Sequence, residues 1–345
     1  MEMNETSYYD SISRIASEID VHGGTILVTG ATGLIGTSLI DVLNEANRSY
    51  KKHFDIIALG RDKMKLEDRF GDFKNIRCIA QDIIDPIQID DVDYIVHAAS
   101  NADPRNYALY PVETILTNVL GARSVLEYSR YHNTRVLLAS TFEVYGQLNQ
   151  DEYSENDYGI IDLVRIRSCY PESKRTAELL FRAYCDEYGV DCVIARLSSV
   201  YGPTMQINDS KAHAQFLRNA IEGKDIVLKS QGKQKRSYSY VIDAVSGILT
   251  VLFHGNKGEA YNIANKNSIA TIADVANTIA GLSGTKVVFD LPDEIESKGF
   301  SKPQNCVLKT DKINSLGWNG RFSLESGLRE TLKTIQEINK NGGRK

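Results

Sequence analysis

The segment Thr25-Ile26-Leu27-Val28-Thr29-Gly30-Ala31-Thr32-Gly33-Leu34-Ile35-Gly36 runs from an unbroken apolar stretch through three glycines spaced three apart into the helical pattern Leu34 to Leu43. An apolar run without polar alternation, followed at once by a helix, suits a strand covered on both faces, the kind that builds parallel sheets. In such a turn Gly30 permits the tight bend, Gly33 lets the backbone approach an anion, and Gly36 lets the helix lie close to its strand. The N–H groups that open the helix lack intrahelical partners and favour negative charge. Strand, glycine turn and helix in this order form the fingerprint of a dinucleotide pyrophosphate site, which Thr32, Leu34 and Ile35 are expected to line together with the glycines.

The same alternation continues outward. Strands are predicted at Asp55 to Leu59, Ile76 to Ala80, Tyr94 to Ala98, Val136 to Ser140 and Val193 to Arg196, with helices at Val112 to Tyr131 and Pro171 to Tyr188. This defines an α/β fold, a doubly wound (Rossmann) parallel sheet. Past Tyr201-Gly202-Pro203 the pattern loosens into a polar loop at Asn208 to Lys211, a helix near Ala214 to Ile221 and the basic stretch Lys229 to Arg236. The expected organisation is a helical extension at 1–22, a dinucleotide-binding domain at 23–200 to which 233–262 returns, and a smaller α/β substrate-binding domain interleaved from 201–232 and 263–345. In the extension, Tyr9, Ile12, Ile15, Ala16 and Ile19 share one helix face.

Composition removes several classes of function. Lys plus Arg total 40 against 45 for Asp plus Glu, so no basic excess steers the chain to nucleic acid or an anionic membrane. No run approaches the roughly 20 apolar residues of a membrane span. Glu2, Glu5, Asp10, Glu18 and Asp20 argue against a secretory signal. Cysteines 78, 169, 185, 192 and 306 form no Cys-x-x-Cys pair and have no histidines at metal-ligand spacing. They are expected to be buried, reduced thiols in a cytoplasmic protein with no metal site.

The second strand ends at Leu59-Gly60-Arg61-Asp62. An acidic residue at that tip usually binds the ribose 2′-hydroxyl of NAD, whereas an arginine suits the 2′-phosphate of NADP. With glycine at the tip and Arg61 next, NADP is expected to be accepted beside NAD, and Asp62 reaching back is the competing arrangement. Asp82 and Ile83 past the third strand, and Ala98-Ala99-Ser100 past the fourth, are further candidates for the cofactor site, with loop capping as the alternative role of Asp82. Tyr170-Pro171-Glu172-Ser173-Lys174 opens a helix, so the phenol and the ammonium share one face. A phenol near pKa 10 is a poor base, and a neighbouring cation favours its ionised form. Thr141, at a strand end where parallel-sheet ligands gather, is a candidate hydroxyl beside them.

Together with the glycine turn, His97-Ala98-Ala99, Thr117-Asn118-Val119, Ser140 to Gly146, Tyr170 to Lys174 and Tyr201-Gly202-Pro203 resemble the extended short-chain dehydrogenases of the nucleotide-sugar epimerase/dehydratase group, over nearly the whole chain. Within that group, Leu138 to Gly146, Arg167-Ser168-Cys169-Tyr170 and Met205 to Asp209 look most like UDP-glucuronate decarboxylases. The resemblance implies a nucleotide-diphosphate sugar, UDP-linked by preference, as substrate. It implies Tyr170 as general base, Lys174 as its electrostatic partner and a ribose ligand, and Thr141 as the hydroxyl orienting the sugar. Asn118 would shape the cofactor site, and Arg236 would bind the diphosphate.

Relatives oxidise the sugar, commonly at C4, and the fate of the resulting ketone distinguishes their reactions. Dehydratases of the group carry an Asp-Glu pair after the active-site Thr; here Phe142 cannot donate a proton, while Glu143 remains available at C5. Decarboxylation is therefore expected first and C4 epimerisation second, with dehydration disfavoured; a non-catalytic dinucleotide sensor is the alternative of a different class. Ser199 and Thr204 depart from the residues usual in relatives and would both touch substrate. Relatives dimerise through two helices, for which Leu116, Val119, Leu120, Leu126, Leu179, Leu180 and Tyr184 offer apolar surface, so a homodimer is expected.

Overall fold

The computed structural model describes residues 7–290 and 304–340. Seven parallel strands form the central sheet: β1 Gly23–Thr29, β2 His53–Gly60, β3 Ile76–Ala80, β4 Tyr94–His97, β5 Arg135–Thr141, β7 Cys192–Leu197 and β11 Ala260–Ile263, in the order β11-β7-β5-β4-β1-β2-β3. Along each strand, successive side chains enter opposite cores. Ile26 and Val28 of β1, Ile56 and Ala58 of β2, and Leu137 and Ala139 of β5 join one buried cluster; Leu27, Ile57, Leu59, Val136 and Leu138 join the other. Two buried faces explain why these strands read as continuous apolar runs.

Helices cover both faces: α1 Tyr8–Glu18, α2 Leu34–Tyr50 and α8 Val241–His254 on the first, α5 Pro111–His132 and α6 Cys169–Tyr188 on the second, with α3 Lys63–Phe70 and α4 Pro104–Leu109 as short connections. The chain runs outward from β1 through β2 to β3, then crosses back to β4 on the other side of β1. The strand order reverses between β1 and β4, and a crevice opens there beyond Thr29 and His97. α1 is fixed by a Ser7–Asp10 capping box. Its buried aromatic is Tyr8, bonded to Ser38 Oγ at 3.0 Å and Asp41 Oδ2 at 2.9 Å; Tyr9, expected on the apolar face, is 46% exposed.

Beyond the sheet, the short strands β6 Glu152–Tyr153, β8 Ser199–Tyr201, β9 Ile226–Leu228, β10 Lys235–Tyr240, β12 Ile269–Thr271, β13 Val287–Phe289 and β14 Val307–Leu308 pair as β12-β10-β8, β13-β9 and β14-β6. Helices α7 Ala212–Ile221, α9 Ile272–Ser283, α10 Asp311–Asn314 and α11 Leu324–Lys340 accompany them. The return to the main sheet, expected from residue 233, starts instead at Val241: β10 belongs to the small sheet, and only α8 and β11 rejoin the large one. No helix among the described residues is long and apolar enough to cross a membrane. Of the cysteines, only Cys192 is fully buried; the other four are half-buried.

Candidate active site

The turn after β1 has the shape its glycines require. Gly30 adopts φ +68°, and a Cβ there would meet the Ala99 backbone at 2.8 Å; a Cβ at Gly36 would meet the Gly30 carbonyl at 2.4 Å. Helix α2 starts at Gly33 without a side-chain cap. Its N-terminus faces a cleft of about 480 Å³ lined by Gly30, Gly33, Leu34, Ile35, Gly36 and Ala98, and the same cleft reaches Thr141, Glu143 and Tyr170. Uncapped N–H groups over an open cleft fit a pyrophosphate. An adjoining compartment is lined by Thr32, Gly60, Arg61, Gln81, Ile83, Ala98, Ala99 and Ser100, the surroundings an adenosine half would need.

Two expected cofactor ligands stand elsewhere. Asp82 is not in that lining; its Oδ1 accepts from Ile84 N at 3.2 Å and caps its own loop. Asn118 is buried, accepting from Ser100 Oγ at 2.7 Å and donating to Ser173 Oγ at 2.8 Å, so it ties the cofactor wall to α6. Asp62, the rival to Arg61, caps α3 by accepting from Lys65 N at 3.1 Å. Arg61 is exposed and lines both compartments.

Tyr170 and Lys174 follow one another along α6. The Tyr170 ring is 7% exposed, stacks on Tyr107 with centroids 5.1 Å apart, and shares the cleft with Thr141 at the end of β5. Burial, followed by the Glu143 charge, pushes its pKa up, while the Thr141 hydroxyl and Arg167 pull it down. Lys174 Nζ donates to the Ala139 carbonyl at 3.0 Å rather than to the phenol, and burial pushes its pKa down to about 8, opposed by Glu178. The expected dominance of the ammonium over the phenol is thus absent here: desolvation of the ring is the larger effect.

Some functional groups escaped sequence reading. Glu143 pairs with Arg167, Oε2 to Nη1 at 3.4 Å, and Arg167 also lies 5.7 Å from the Tyr107 ring. Glu178 accepts from Ser140 Oγ at 2.5 Å and pairs with Arg196 at 2.7 Å, a buried ion pair beneath the site. Residues separated this widely in sequence carry no local pattern that joins them. Ser199 lines the cleft as expected, but Thr204 donates to the Leu34 carbonyl at 3.1 Å and fastens α2 instead. Arg236 lines the cleft beside Phe142, with its Nε buried and lacking a partner.

Residues 26–264 match the model of the NAD dependent epimerase/dehydratase family, and the chain belongs to that family. It is accordingly an NAD-dependent enzyme. A UDP-glucuronic acid decarboxylase 3 from Arabidopsis thaliana is 34% identical over 307 residues, 88% of this chain and 86% of that protein. A UDP-glucuronic acid decarboxylase 1 from Xenopus tropicalis is 33% identical over 309 residues, 89% of this chain and 71% of that protein. Among solved structures, a dTDP-glucose 4,6-dehydratase from Streptomyces venezuelae with NAD bound superposes with TM-score 0.78 at 26% identity, covering 92% of this chain and 98% of its own. A UDP-glucuronic acid 4-epimerase from Bacillus cereus, at 22% identity and TM-score 0.76 over 91% of this chain and 99% of its own, shares the fold.

Proposed function

We propose that the protein oxidises the sugar of a nucleotide-diphosphate sugar at C4 and, with UDP-glucuronate as substrate, releases carbon dioxide to give UDP-xylose. The observation that carries this reading is the gathering of Tyr170, Thr141 and the paired Glu143 and Arg167 in one cleft with the glycine turn. The decarboxylases among the relatives support the choice of substrate. NAD, when bound, supplies a hydride acceptor and later a hydride donor. Tyr170 Oη takes the C4 hydroxyl proton, Thr141 orients that hydroxyl, and Lys174 contributes positive charge from the next turn of α6. Once C4 is a ketone, a carboxylate on C5 is a β-keto acid and leaves as carbon dioxide. The enolate that remains needs a proton at C5, which Glu143, paired with Arg167, relays from solvent. Phe142 has no proton to give, so loss of water across C5 and C6 lacks its acid. Arg236 holds the nucleotide diphosphate, and Ser199 touches the substrate from the cleft wall. Incubation with NAD and UDP-glucuronate, followed by proton NMR, is expected to yield UDP-xylose and carbon dioxide; a product only epimerised or dehydrated overturns the reading.

We also propose that NADP is accepted, because Asp62 is engaged as a helix cap and Arg61 is free to meet a 2′-phosphate. A homodimer through α5 and α6 is supported by Val112, Ile115, Leu116, Tyr131 and Leu179, all exposed. Leu126 and Tyr184, counted toward that surface from sequence, are buried in the core and drop out of it.

A further inference from the structure

One residue lining the cleft has no part in the chemistry above. His213, in the first turn of α7, is 7% exposed, and its Nε2 is buried without a hydrogen-bond partner. The Val200 backbone beside the ring favours its protonated form, as a carbonyl facing an N–H does. With Nε2 unpartnered, the tautomer that turns an Nδ1–H toward Val200 leaves Nε2 bare in the neutral ring. The neutral ring dominates, because burial, then Lys211, push its pKa down to about 4, opposed by Asp209 and assisted by Arg236.

The groups facing this ring are Lys211 at the N-cap of α7, Asp209 in the preceding loop, Arg236 and Tyr238 from β10, and Tyr201 from β8. Lys211 is bridged to Asp209 at 3.2 Å, whereas Arg236 Nε, like His213 Nε2, is buried without a partner. Helix α7 also begins without a side-chain cap, so its positive end adds to the same field. Two orphaned nitrogens and a bare helix end in one cleft, whose lysine is already bridged to Asp209, call for an anion with several oxygens.

We propose that His213 is a substrate-binding residue that takes a proton from solvent as a nucleotide sugar binds and donates Nε2–H to its diphosphate. Nδ1–H stays turned toward the Val200 backbone while Nε2–H meets the diphosphate, whose negative charge offsets the cations that keep the free ring neutral. This rests on the nucleotide-sugar reading. It adds a linkage: between the ring's free and bound pKa values, each unit of falling pH tightens binding by up to about tenfold.

The test is calorimetric titration of UDP-glucose into the NAD-loaded protein between about pH 5 and 8, in buffers of different ionisation enthalpy. The diphosphate diester of UDP-glucose does not itself titrate in that range. Binding is expected to tighten as pH falls, with uptake of a proton by the complex. In His213→Asn, which can donate but not titrate, and in His213→Phe, the pH slope and the proton uptake should both vanish. If neither variant folds, His213→Gln, nearer in size to the imidazole and likewise unable to titrate, carries the same expectation. Binding of UDP-glucose that is independent of pH and takes up no proton overturns the role of His213 while leaving the nucleotide-sugar reading intact. Absence of binding by UDP-, dTDP- and CDP-glucose alike overturns both.

Discussion

Glu178 lies one turn beyond Lys174 on α6, and its carboxylate serves two neighbours at once. It pairs with Arg196 at 2.7 Å, both side chains being 7% exposed, and its charge supports the buried ammonium of Lys174. Replacing it by glutamine keeps the shape and removes the charge. Arg196 would then stay buried with only the Glu155 carbonyl at 2.9 Å and the Tyr145 hydroxyl at 3.1 Å as acceptors besides the new amide. Removing one partner of such a pair costs about 3–5 kcal/mol, a large share of the roughly 5–15 kcal/mol that holds a typical domain together. Urea unfolding of Glu178→Gln should show a lower midpoint with an unchanged slope. The second consequence is kinetic. Lys174, brought to about 8 by burial despite Glu178, loses the influence that raises it, so its ammonium deprotonates at lower pH. The alkaline limb of kcat/KM, expected near pH 8 in the wild type, should therefore move down. Glu178→Leu combined with Arg196→Met should recover much of the stability but not the alkaline limb. A single variant that loses less than about 1 kcal/mol and keeps its alkaline limb would refute this account of the site's support.

Other perturbations test the remaining assignments. Tyr170→Phe should lower kcat by about 10²–10⁴-fold while UDP-glucuronate still binds; retained turnover would remove Tyr170 from the chemistry. Glu143→Gln should lower the rate at which C5-deuterated UDP-xylose forms in heavy water, and an undiminished rate would remove Glu143 from that step. For Arg61→Ala, a fluorescence titration should find NADPH weakened at least about tenfold, the scale of one lost charge-assisted contact, and NADH little changed; a wild type that binds only NADH defeats NADP acceptance. Leu116→Glu with Leu179→Glu should give a monomeric mass by light scattering, and a wild type that is itself monomeric at micromolar concentration would dispose of the helix-pair dimer.

Strands were legible where both faces are buried, since β1 and β5 then have no polar alternation to obscure them. The glycine turn was legible because each glycine answers a local steric demand, as the 2.4 Å approach of a Cβ at Gly36 to the Gly30 carbonyl makes plain. Facing was harder to read. Tyr8 and Tyr9 are adjacent and both apolar, and only the Ser38 and Asp41 side chains of α2 select the first for burial. Leu126 and Tyr184 satisfy the same helical periodicity as Leu116 and Leu179, yet lie against the sheet. Pairings across the fold were not legible at all: Glu143 with Arg167 and Thr204 with Leu34 each join separate elements whose approach depends on the whole topology.

Asn118 joins Ser100 to Ser173, so the wall around the dinucleotide and the helix carrying Tyr170 are cross-braced through one amide. The residues that would grip the substrate's nucleotide, His213 and Arg236, hang instead from α7 and the small sheet. On the proposed roles, reaction and recognition would be mounted on separate supports, and a lineage could exchange one sugar nucleotide for another by rebuilding the second support while the proton-handling apparatus on the first is inherited intact.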